Sequence, residues 1–428
     1  MTVYFYTLGC KVNQYETQEM SELFIKAGYS VVFSPESADI IVVNSCTVTA
    51  ESVRKVRQTV RKLHKTNPDA LLVLTGCASQ AEPEEIKEAL PEIDVLFGNK
   101  NNINIVTFCE KAINENKRVY VCDEHKSGEP FKGTGITAFE GHTRAFLKIQ
   151  DGCDRFCSYC LIPNARGRSR SKSPEDIDRE LKALSENGYS EIVFVGINLS
   201  DYGKNTPYSL PDALLLAEKY DGIKRVRLGS LEPDHITDKM IEEFAGVSKL
   251  CHQFHISVQS GSNNVLKRMN RHYTAEQYIH LAQKLRETFN DTTITTDIIA
   301  GFPTETDEDF AETLEFVKKV KFEKAHIFPY SKRNNTVAAK LPQIQNSVKE
   351  ERAKRLTGAT EKIRREFLKN QIGKTYDVLF ETEHTDYSEG YTANYIPVRI
   401  YDEKSRKGKI LSVKITGTYD DGCTGEEI

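Results

Sequence analysis

Residues 144–160 read RAFLKIQDGCDRFCSYC, an apolar strand pattern that leads directly into three closely spaced cysteines. Cys153, Cys157 and Cys160 have the spacing CxxxCxxC. A four-iron, four-sulfur cube fully held by protein takes four cysteines, so three thiolates leave one iron open. An open iron beside a reductively cleavable cofactor is where radical chemistry on S-adenosylmethionine begins. The segment therefore predicts a radical site on the loop that follows a strand.

A zinc site and a purely structural cluster are the alternative interpretations of this spacing. Structural zinc sites more often pair two CxxC knuckles and close with four ligands. The sequence contains no second knuckle. This difference favours the radical interpretation, which remains a hypothesis that rests on a motif.

Three further cysteines each end a short strand-like run in the first eighty residues. Cys10 ends TVYFYTLGC, Cys46 ends DIIVVNSC and Cys77 ends LLVLTGC, and a helix-like stretch follows each run. Alternating strands and helices predict a parallel sheet covered by helices, and ligands of such sheets bind beyond the carboxyl ends of the strands. We therefore predict that the three thiols converge on a second open-iron cluster. Three buried, inert thiols are the alternative.

Size and composition are those of an ordinary globular protein of two to four domains. The 428 residues are 28% charged and 39% hydrophobic. No signal peptide precedes the first strand pattern, and no apolar run approaches the roughly 20 residues that span a bilayer. Ten cysteines without an export signal indicate a reducing compartment. We predict a cytoplasmic protein without a membrane partner, in which Cys109, Cys122, Cys251 and Cys423 are ordinary thiols.

Contacts with nucleic acid would need local positive patches, because the net charge is −4. Residues 50–65 read AESVRKVRQTVRKLHK, in which valines and a leucine at helical spacing form a buried stripe and basic residues form a neighbouring one. This helix starts near Cys46. We predict that part of the basic stripe, including Arg57 and Arg61, contacts phosphates. A solvated surface is the alternative.

The pattern divides the chain into four parts and predicts an α/β fold. Residues 1–130 carry the amino-terminal parallel sheet, which is of Rossmann type. Residues 140–345 contain six strand patterns in βα units, typical of a partial (βα)6 barrel with its active site at the carboxyl ends of the strands. Residues 346–371 form a linking helix. Residues 372–428 alternate with period two and predict a small antiparallel β-barrel.

The blocks TLGCKVNQYET, FHISVQSGSNNVLKRMNRHYT and DIIAGFPTETDEDF resemble the radical S-adenosylmethionine methylthiotransferases over nearly the whole chain. The first block is similar to the branch that modifies threonylcarbamoyladenosine beside the tRNA anticodon. Sister branches act on isopentenyladenosine or on a ribosomal protein. One departure is Asn164 in LIPNARGRSRS, where the family is expected to carry an aromatic residue.

The resemblance implies an architecture, a mechanism and a set of partners. It implies an amino-terminal cluster domain, a radical barrel and a carboxy-terminal RNA-binding barrel called TRAM. One [4Fe-4S] cluster, on Cys153, Cys157 and Cys160, would cleave S-adenosylmethionine to a radical that takes hydrogen from carbon two of the adenine. A second, on Cys10, Cys46 and Cys77, would deliver the methylated sulfur. The implied partners are tRNA, an electron donor of flavodoxin or ferredoxin type, and a sulfur donor.

Several residues resemble cofactor-contacting positions. Gly196 and Asn198 follow one barrel strand, Ser230 and Glu232 follow the next, and Tyr159 lies between two predicted ligands. Ordinary turn chemistry is the alternative for the first four. Phe328 and Tyr330 follow the last strand and would line the adenine pocket, with aromatic core packing as the alternative.

Substrate contacts are predicted at five further positions. Arg166, Arg168 and Arg170 alternate after the cluster loop, and an extended backbone would aim all three at one face, a geometry suited to a carboxylate. We predict that at least one of them recognises the threonylcarbamoyl carboxylate. His255 and Gln259 share a strand pattern at even spacing and are predicted to face the barrel interior together. A satisfied interior histidine is the alternative.

The carboxy-terminal part fits RNA binding less easily. From Gln371 onward it has 7 Lys and Arg against 11 Asp and Glu, and phosphate contacts dominate affinity for nucleic acid. Basic residues do cluster between residues 404 and 409. We predict that removing the residues beyond Gly373 weakens tRNA binding and leaves both clusters in place. A non-catalytic iron–sulfur protein that binds RNA is the alternative of a different class.

Overall fold

The apolar runs near the amino terminus form a parallel sheet in the computed structural model, which describes residues 1–47 and 49–428. The elements of this part are β1 (Thr2–Thr7), α1 (Lys11–Lys26), β2 (Ser30–Val31), β3 (Ile40–Ser45), α2 (Ala50–Thr66), β4 (Leu71–Gly76), α3 (Cys77–Ala81), α4 (Pro83–Ala89), β5 (Val95–Phe97), α5 (Ile105–Glu115) and β6 (Val119–Val121). The strand order is β2-β1-β3-β4-β5-β6, and every neighbouring pair is parallel.

Helices cover both faces of this sheet, which explains why its central strands are apolar throughout. In β3, Ile41 and Val43 face one core cluster with the buried stripe of α2. Ile40 and Val42 face the other cluster with residues of α1 and α5. The valine stripe predicted for residues 50–65 therefore packs on the sheet.

Helix α1 carries an unusual buried stripe of polar residues. Asn13, Glu16, Glu19 and Glu22 occur at every third position, and each is at most 7% exposed. The Glu19 carboxylate accepts hydrogen bonds from the backbone amides of Thr134 and Gly135, and that of Glu22 accepts them from Thr137 and Ala138. The connecting segment after the sheet is thus tied to α1 through its backbone.

The second part of the chain forms six parallel strand positions with helices between them. Its elements are β7 (Arg144–Lys148), β8 (Gln150–Asp151), α6 (Ile162–Arg166), β9 (Arg170–Ser171), α7 (Pro174–Glu186), β10 (Glu191–Val195), α8 (Leu210–Leu216), β11 (Arg225–Leu228), β12 (Ser230–Leu231), α9 (Asp238–Ala245), β13 (Gln253–Ile256), α10 (Asn263–Arg268), α11 (Ala275–Thr288), β14 (Thr293–Ala300), α12 (Asp307–Val320) and β15 (Lys324–Pro329).

These strands form an open barrel. One sheet has the order β11-β10-β7 and the next has the order β12-β13-β14-β15, and Gly229 alone separates β11 from β12. All neighbouring pairs in both sheets are parallel. Their inward and outward apolar residues belong to one large core cluster. A partial barrel of six strands, with its carboxyl ends on one side, is the result.

A long helix and a small closed barrel complete the chain. The elements are α13 (Asn346–Lys369), β16 (Thr375–Glu383), β17 (Ser388–Thr392), β18 (Pro397–Ile400), β19 (Ile410–Tyr419) and β20 (Gly422–Glu427). The barrel closes in the order β16-β17-β18-β20-β19. Its pairs are antiparallel except β18 with β20, which is parallel.

The loop at residues 391–394 of the small barrel docks against the amino ends of the larger barrel's strands. Arg225 and Arg227 donate hydrogen bonds to backbone carbonyls of this loop, and the Thr293 hydroxyl donates a third. The predicted α/β class, with a parallel sheet, a partial barrel and a small β-barrel, is confirmed. None of the helices in the described ranges combines the length and the apolar character needed to cross a bilayer.

Candidate active site

The three amino-terminal cysteines lie at one edge of the first sheet. Cys10 precedes α1, Cys46 follows β3 and Cys77 begins α3 directly after β4. Because β1, β3 and β4 are neighbours, the carboxyl ends of these strands lie side by side. The sequence pattern puts these thiols at successive strand ends, and the structure brings those ends together.

Glycines before Cys10 and Cys77 allow the close approach of the three strand ends. Gly9 and Gly76 have φ of +132° and +100°. A Cβ on Gly9 would lie 3.2 Å from the Cβ of Cys46, and one on Gly76 would lie 2.4 Å from a carbonyl oxygen of β3. A side chain at either position would separate the strand ends and the thiols with them.

Burial and neighbouring charges shift the pKa of the thiols at this edge of the sheet. Desolvation raises the pKa of both Cys10 and Cys77, and Arg166 opposes the shift at both. The charge of Cys46 raises the pKa of Cys10 further, and the charge of Cys10 does the same for Cys77. The ten cysteines, all within the described ranges, form no disulfide.

The second group of cysteines occupies the loop after β7 and β8. The Cys153 amide donates to the carbonyl of Gly167 at 3.0 Å, and the Cys160 amide donates to that of Cys157 at 2.9 Å. Burial raises the pKa of Cys153 and that of Cys160, and Cys157 raises both further. Local backbone hydrogen bonds therefore shape the loop that carries the three thiols.

No single-ion position is formed by three or more His, Cys, Asp or Glu side chains among the residues the structure describes. This finding concerns mononuclear sites. The three cysteines of a cube each bind a different iron, so they stand farther apart than the ligands of one ion.

Arg166 connects the two cysteine groups. It is the last residue of α6, which begins two residues after Cys160, and it is completely buried. Its Nε donates to the Cys77 sulfur at 3.2 Å, and its two terminal nitrogens donate to the Glu16 carboxylate at 2.7 and 2.9 Å. One side chain thus joins the segment after the second group to a ligand of the first.

Glu16 holds this guanidinium in place. Burial alone would raise the pKa of Glu16, but Arg166 and Lys148 lower it below its ordinary value. Lys148 donates to the same carboxylate at 2.9 Å, and Asp151 accepts from Arg166 at 3.1 Å. Four charged side chains therefore pair inside the interface between α1 and the barrel.

The predicted alignment of Arg166, Arg168 and Arg170 along one extended face is wrong. Arg166 ends a helix, so the backbone before it is not extended. Arg168 is exposed and lies over the Phe156 ring at 4.4 Å. Arg170 pairs with Asp151 at 3.2 Å. Buried carboxylates take two of the three guanidiniums, and none of the three lines the central cavity of the barrel.

That cavity has a volume of about 540 Å³ and is lined by all parts of the molecule. From α1 and the residue before it come Cys10, Lys11 and Val12. The barrel strands and the residues after them contribute Val195, Gly196, Leu228, Gly229, Ser230, Gln253, His255, Thr295, Lys324 and His326. Helix α13 and the small barrel contribute Arg364, Tyr391, Tyr395, Pro397 and Asp421.

Gly196 and Asn198 have the features of a ligand cradle. A Cβ on Gly196 would lie 2.8 Å from the side-chain oxygen of Gln150. That oxygen accepts the backbone amide of Asn198 at 2.8 Å. The Asn198 side chain is 2% exposed, and neither its oxygen nor its nitrogen has a hydrogen-bond partner within the described ranges. A buried amide without partners is costly, so these atoms fit a bound polar ligand.

Glu232 and a residue that the sequence did not suggest, Arg271, lie beside the second cysteine group. Arg271 pairs with Glu232 at 2.6 Å and points one nitrogen at the Cys157 sulfur at 3.5 Å. Burial raises the pKa of Glu232, although Arg271 opposes the shift. Arg271 ends the block NVLKRMNR, where nothing in the spacing separates it from Arg268. Ser230 is exposed at the cavity wall.

The aromatic residues predicted at the cofactor site have different surroundings. Phe328 is 49% exposed, whereas Tyr330 is buried in a small apolar cluster with Phe302 and Met269. Tyr159 packs against the same cluster, with its ring 6.4 Å from that of Phe302. Neither Phe328 nor Tyr330 lines the cavity, and their contact with the adenine of the cofactor remains a prediction.

His255 faces the cavity and Gln259 does not. The His255 ring is bound by Thr295 at 2.9 Å and by Asp297 at 3.2 Å. Strand β13 ends before Gln259, whose φ of +66° breaks the alternation. The prediction that the two share one strand face is therefore wrong, because a left-handed residue interrupts the strand pattern.

The basic stripe of α2 has partners within its own part of the chain. Arg57 lies 3.9 Å from Glu85, and Arg61 donates to the carbonyl of Ala89 at 3.0 Å and lies 3.8 Å from Glu92. Contact of these arginines with phosphates remains a prediction. Cys109, Cys251 and Cys423 are buried, and the Cys122 thiol donates to a carbonyl of α3.

Two known families match successive parts of the chain. The Radical SAM superfamily matches residues 147–317, which contain the second cysteine group. The uncharacterized protein family UPF0004 matches residues 2–98, which contain Cys10, Cys46 and Cys77.

Relatives match along nearly the full length. A Bacillus subtilis protein named threonylcarbamoyladenosine tRNA methylthiotransferase MtaB is 38% identical, over 97% of this chain and 93% of its own. A Thermotoga maritima protein of the same name is 39% identical, over 98% and 96%. A Clostridium botulinum protein named tRNA-2-methylthio-N(6)-dimethylallyladenosine synthase is 36% identical, over 99% and 94%.

Solved structures agree at the level of the fold. The radical S-adenosylmethionine methyltransferase TsrM from Kitasatospora setae matches with a TM-score of 0.56 at 15% identity, over 79% of this chain and 75% of its own. The radical enzyme OxsB matches with a TM-score of 0.52 at 14% identity, over 85% and 56%. Enzymes of the Radical SAM superfamily use a [4Fe-4S] cluster with S-adenosylmethionine. The full-length relatives above 30% identity carry the assignment further, and this chain belongs to the radical S-adenosylmethionine methylthiotransferase family, in its MtaB branch.

Proposed function

We propose that this enzyme adds a methylthio group to carbon two of threonylcarbamoyladenosine beside the anticodon of tRNA. It would use S-adenosylmethionine and two [4Fe-4S] clusters, one on each cysteine group, in the cytoplasm. The single observation that carries the proposal is Arg166, whose buried guanidinium links the segment after Cys160 to the Cys77 sulfur. Two groups joined by one side chain can serve one substrate.

The donor sets fit the proposed groups. Cys153, Cys157 and Cys160 supply three thiols of the type that cubes require, and so do Cys10, Cys46 and Cys77. The unpartnered buried amide of Asn198 suits the polar atoms of S-adenosylmethionine. When bound, these groups supply the radical that removes hydrogen from carbon two and the methylthio group that replaces it.

Residues of the chain hold the proposed cluster site on Cys153, Cys157 and Cys160 in shape. Arg271 lies against the Cys157 sulfur and pairs with Glu232, so it places a positive charge beside the thiolates that would bind iron. Gln150 holds the start of this loop, because its side-chain nitrogen donates hydrogen bonds to the backbone carbonyls of Asp151 and Gly152. Hydrogen bonds and charges near sulfur tune the properties of such clusters.

The cavity suits a nucleobase that has been turned out of the tRNA. Its volume of about 540 Å³ lies in the range of small-molecule sites. Cys10 of the amino-terminal cysteine group lines one part of the cavity, and Ser230 and Gly196 of the proposed cofactor site line another. Tyr391 and Tyr395 of the small barrel cover the opposite end, with their rings 4.7 Å apart and nearly parallel. This enclosure would exclude water from the reacting carbon.

One observation supports a second candidate substrate. The Clostridium botulinum relative, at 36% identity, is named for dimethylallyladenosine, so isopentenyladenosine is the competing base. A ribosomal-protein substrate and a non-catalytic RNA-binding role have no comparable support, because the relatives described above are named as enzymes that modify tRNA.

The test compares two tRNAs with the reconstituted enzyme. Each tRNA carries either threonylcarbamoyladenosine or isopentenyladenosine at the position beside the anticodon, with a reducing flavodoxin or ferredoxin and a sulfide source supplied. Mass spectrometry of the nucleosides should show a methylthio group on threonylcarbamoyladenosine and little on the other base. The reverse pattern would overturn the substrate assignment. Absence of 5′-deoxyadenosine from a fully loaded sample would overturn the catalytic proposal itself.

A further inference from the structure

Lys11 is placed to bind an anion inside the cavity. It follows Cys10 directly as the first residue of α1, and both residues line the cavity wall. Its ammonium lies 5.8 Å from the centre of the Phe146 ring. Among the described residues, 1–47 and 49–428, none forms a hydrogen bond or an ion pair with this ammonium.

The other cations of the cavity already have partners. Lys324 pairs with Asp421 at 2.5 Å, and Arg364 pairs with the same carboxylate at 3.1 Å. Asp421 is the one acidic residue among the described residues that line the cavity. Tyr395 and Glu191 both act on the Lys11 charge through space, and Glu191 is bound by Arg225 at 2.5 Å and by Arg227 at 2.9 Å.

The cavity lining therefore carries a net positive charge, and Lys11, its cation without a hydrogen-bond partner among the described residues, lies beside the proposed cluster ligand Cys10. A neutral, apolar substituent would remove water from the Lys11 ammonium without offering it a hydrogen bond, which costs binding free energy. A carboxylate would form a charge-assisted hydrogen bond with the same ammonium. In adenine, carbon two and carbon six flank the same ring nitrogen, and carbon six carries the amino nitrogen. A base whose carbon two faces Cys10 thus directs a substituent on that amino nitrogen along the nearby wall.

We infer that Lys11 binds the carboxylate carried by the N6 substituent of the substrate adenine and so selects an acidic base over a neutral one. The inference rests on the proposed function. It replaces the arginines at 166, 168 and 170, which the structure places outside the cavity. Lys11 acts here as a binding residue that decides specificity.

The experiment uses the loaded enzyme and synthetic anticodon stem–loops. One stem–loop carries threonylcarbamoyladenosine, and the other carries its methyl ester, in which a neutral ester of slightly larger size replaces the carboxylate. Methylthiolation is measured for the wild type, Lys11→Gln, Lys11→Arg and the control Lys26→Gln, which changes an exposed lysine in the last turn of the same helix. Iron content and 5′-deoxyadenosine formation without RNA report on cluster loading independently of the substrate.

The wild type and Lys26→Gln should prefer the acid to the ester by about tenfold to a hundredfold in kcat/KM. Lys11→Gln should reduce this ratio to near one, because kcat/KM falls for the acid and stays the same for the ester. Lys11→Arg should restore much of the ratio. An unchanged ratio in Lys11→Gln, with the wild type active on the acid, would overturn the role of Lys11 and leave the proposed function standing. A wild type that is inactive on both stem–loops but active on isopentenyladenosine would overturn the proposed function and this inference together.

Discussion

The two cysteine groups are built in opposite ways. Cys153, Cys157 and Cys160 fall within eight residues, and local backbone hydrogen bonds shape their loop. Cys10, Cys46 and Cys77 are 36 and 31 residues apart and meet because three neighbouring strands end at one edge of a sheet. The site on Cys153, Cys157 and Cys160 is encoded by spacing, and the site on Cys10, Cys46 and Cys77 is encoded by the fold. Damage to the sheet should therefore affect the latter site alone.

The largest effect should come from removing each group. Changing Cys153, Cys157 and Cys160 to Ala should abolish both 5′-deoxyadenosine formation and methylthiolation, because the radical site is lost. Changing Cys10, Cys46 and Cys77 to Ala should abolish methylthiolation and leave 5′-deoxyadenosine formation measurable. Each triple variant should lose about four irons per chain. Equal loss of 5′-deoxyadenosine in both variants would contradict separate sites.

Arg166→Met should uncouple the groups. The change leaves Glu16 and Asp151 short of a buried partner, so we expect a loss of about 3–5 kcal/mol in the free energy of unfolding. Methylthiolation should fall further than 5′-deoxyadenosine formation. Urea denaturation and both product assays measure these effects. The matched control is Arg168→Met at an exposed site, which should change stability by about 0.5 kcal/mol or less. Similar results for both variants would show that Arg166 is not a bridge.

Removing the residues beyond Gly373 should leave both cysteine groups intact, because neither lies in the small barrel. The deletion takes Tyr391 and Tyr395 from the cavity, so tRNA affinity and methylthiolation should both decrease. Gel-shift titrations with anaerobic protein, combined with iron counts, test this expectation. Unchanged tRNA affinity would show that the small barrel has a structural role only. Arg406 is a poor candidate for phosphate contact, since Asp402 and Glu427 already bind it.

Asn198→Ala should weaken binding of S-adenosylmethionine by about tenfold while leaving the fold unharmed. The reason is that its buried side-chain atoms have no partner within the described protein, so their removal breaks no internal hydrogen bond. Equilibrium binding of the cofactor to the loaded enzyme and thermal unfolding of the same sample separate the two effects. A large drop in melting temperature with normal cofactor affinity would make Asn198 a structural residue.

Acid should loosen the dock between the two barrels. Burial alone would raise the pKa of Glu191, but Arg227, Arg225 and Arg144 lower it to about 2 from its ordinary value of 4.5. A lowered pKa in the folded state means that the stabilisation is present above pH 4.5 and is lost as pH falls toward 2. The free energy of unfolding of the wild type should therefore fall between pH 4.5 and pH 2. In Glu191→Gln this fall should be smaller by roughly 1–3 kcal/mol.

Urea titrations at pH 3 and pH 7 measure this difference. The control is Glu88→Gln, which changes an exposed carboxylate in α4. Identical pH dependence in the wild type and Glu191→Gln would show that the ion pairs of Glu191 with Arg225 and Arg227 do not stabilise the contact between the two barrels.

Much of the architecture can be predicted because the pattern is periodic. Apolar runs that end in Gly-Cys or Ser-Cys mark the strand ends, and alternation with helices marks the parallel sheet. Two strands of the small barrel, β17 and β20, do not stand out in the sequence, since SEGYT and GCTGEE contain few residues that favour strands.

The failures occur where a residue's role depends on partners far away in sequence. The alternation of arginines predicts an extended segment at Arg166, but Pro163 in the first turn of α6 begins a helix, and Glu16 captures the guanidinium from 150 residues away. A signal for this kind of pairing is present, because the polar residues of α1 recur at every third position, which puts them near one face of the helix. Gln259 gives no such signal, since a left-handed conformation outside glycine follows from tertiary contacts.

The separation of the two reduced clusters in the loaded enzyme tests the central claim most directly. Pulsed electron paramagnetic resonance should detect spin coupling between two [4Fe-4S] centres within roughly 15 Å, about the reach of helix α6 and one arginine side chain. Detection of a single cluster, or of two centres roughly 30 Å or more apart, would contradict the account, because no single base in the cavity could then reach both.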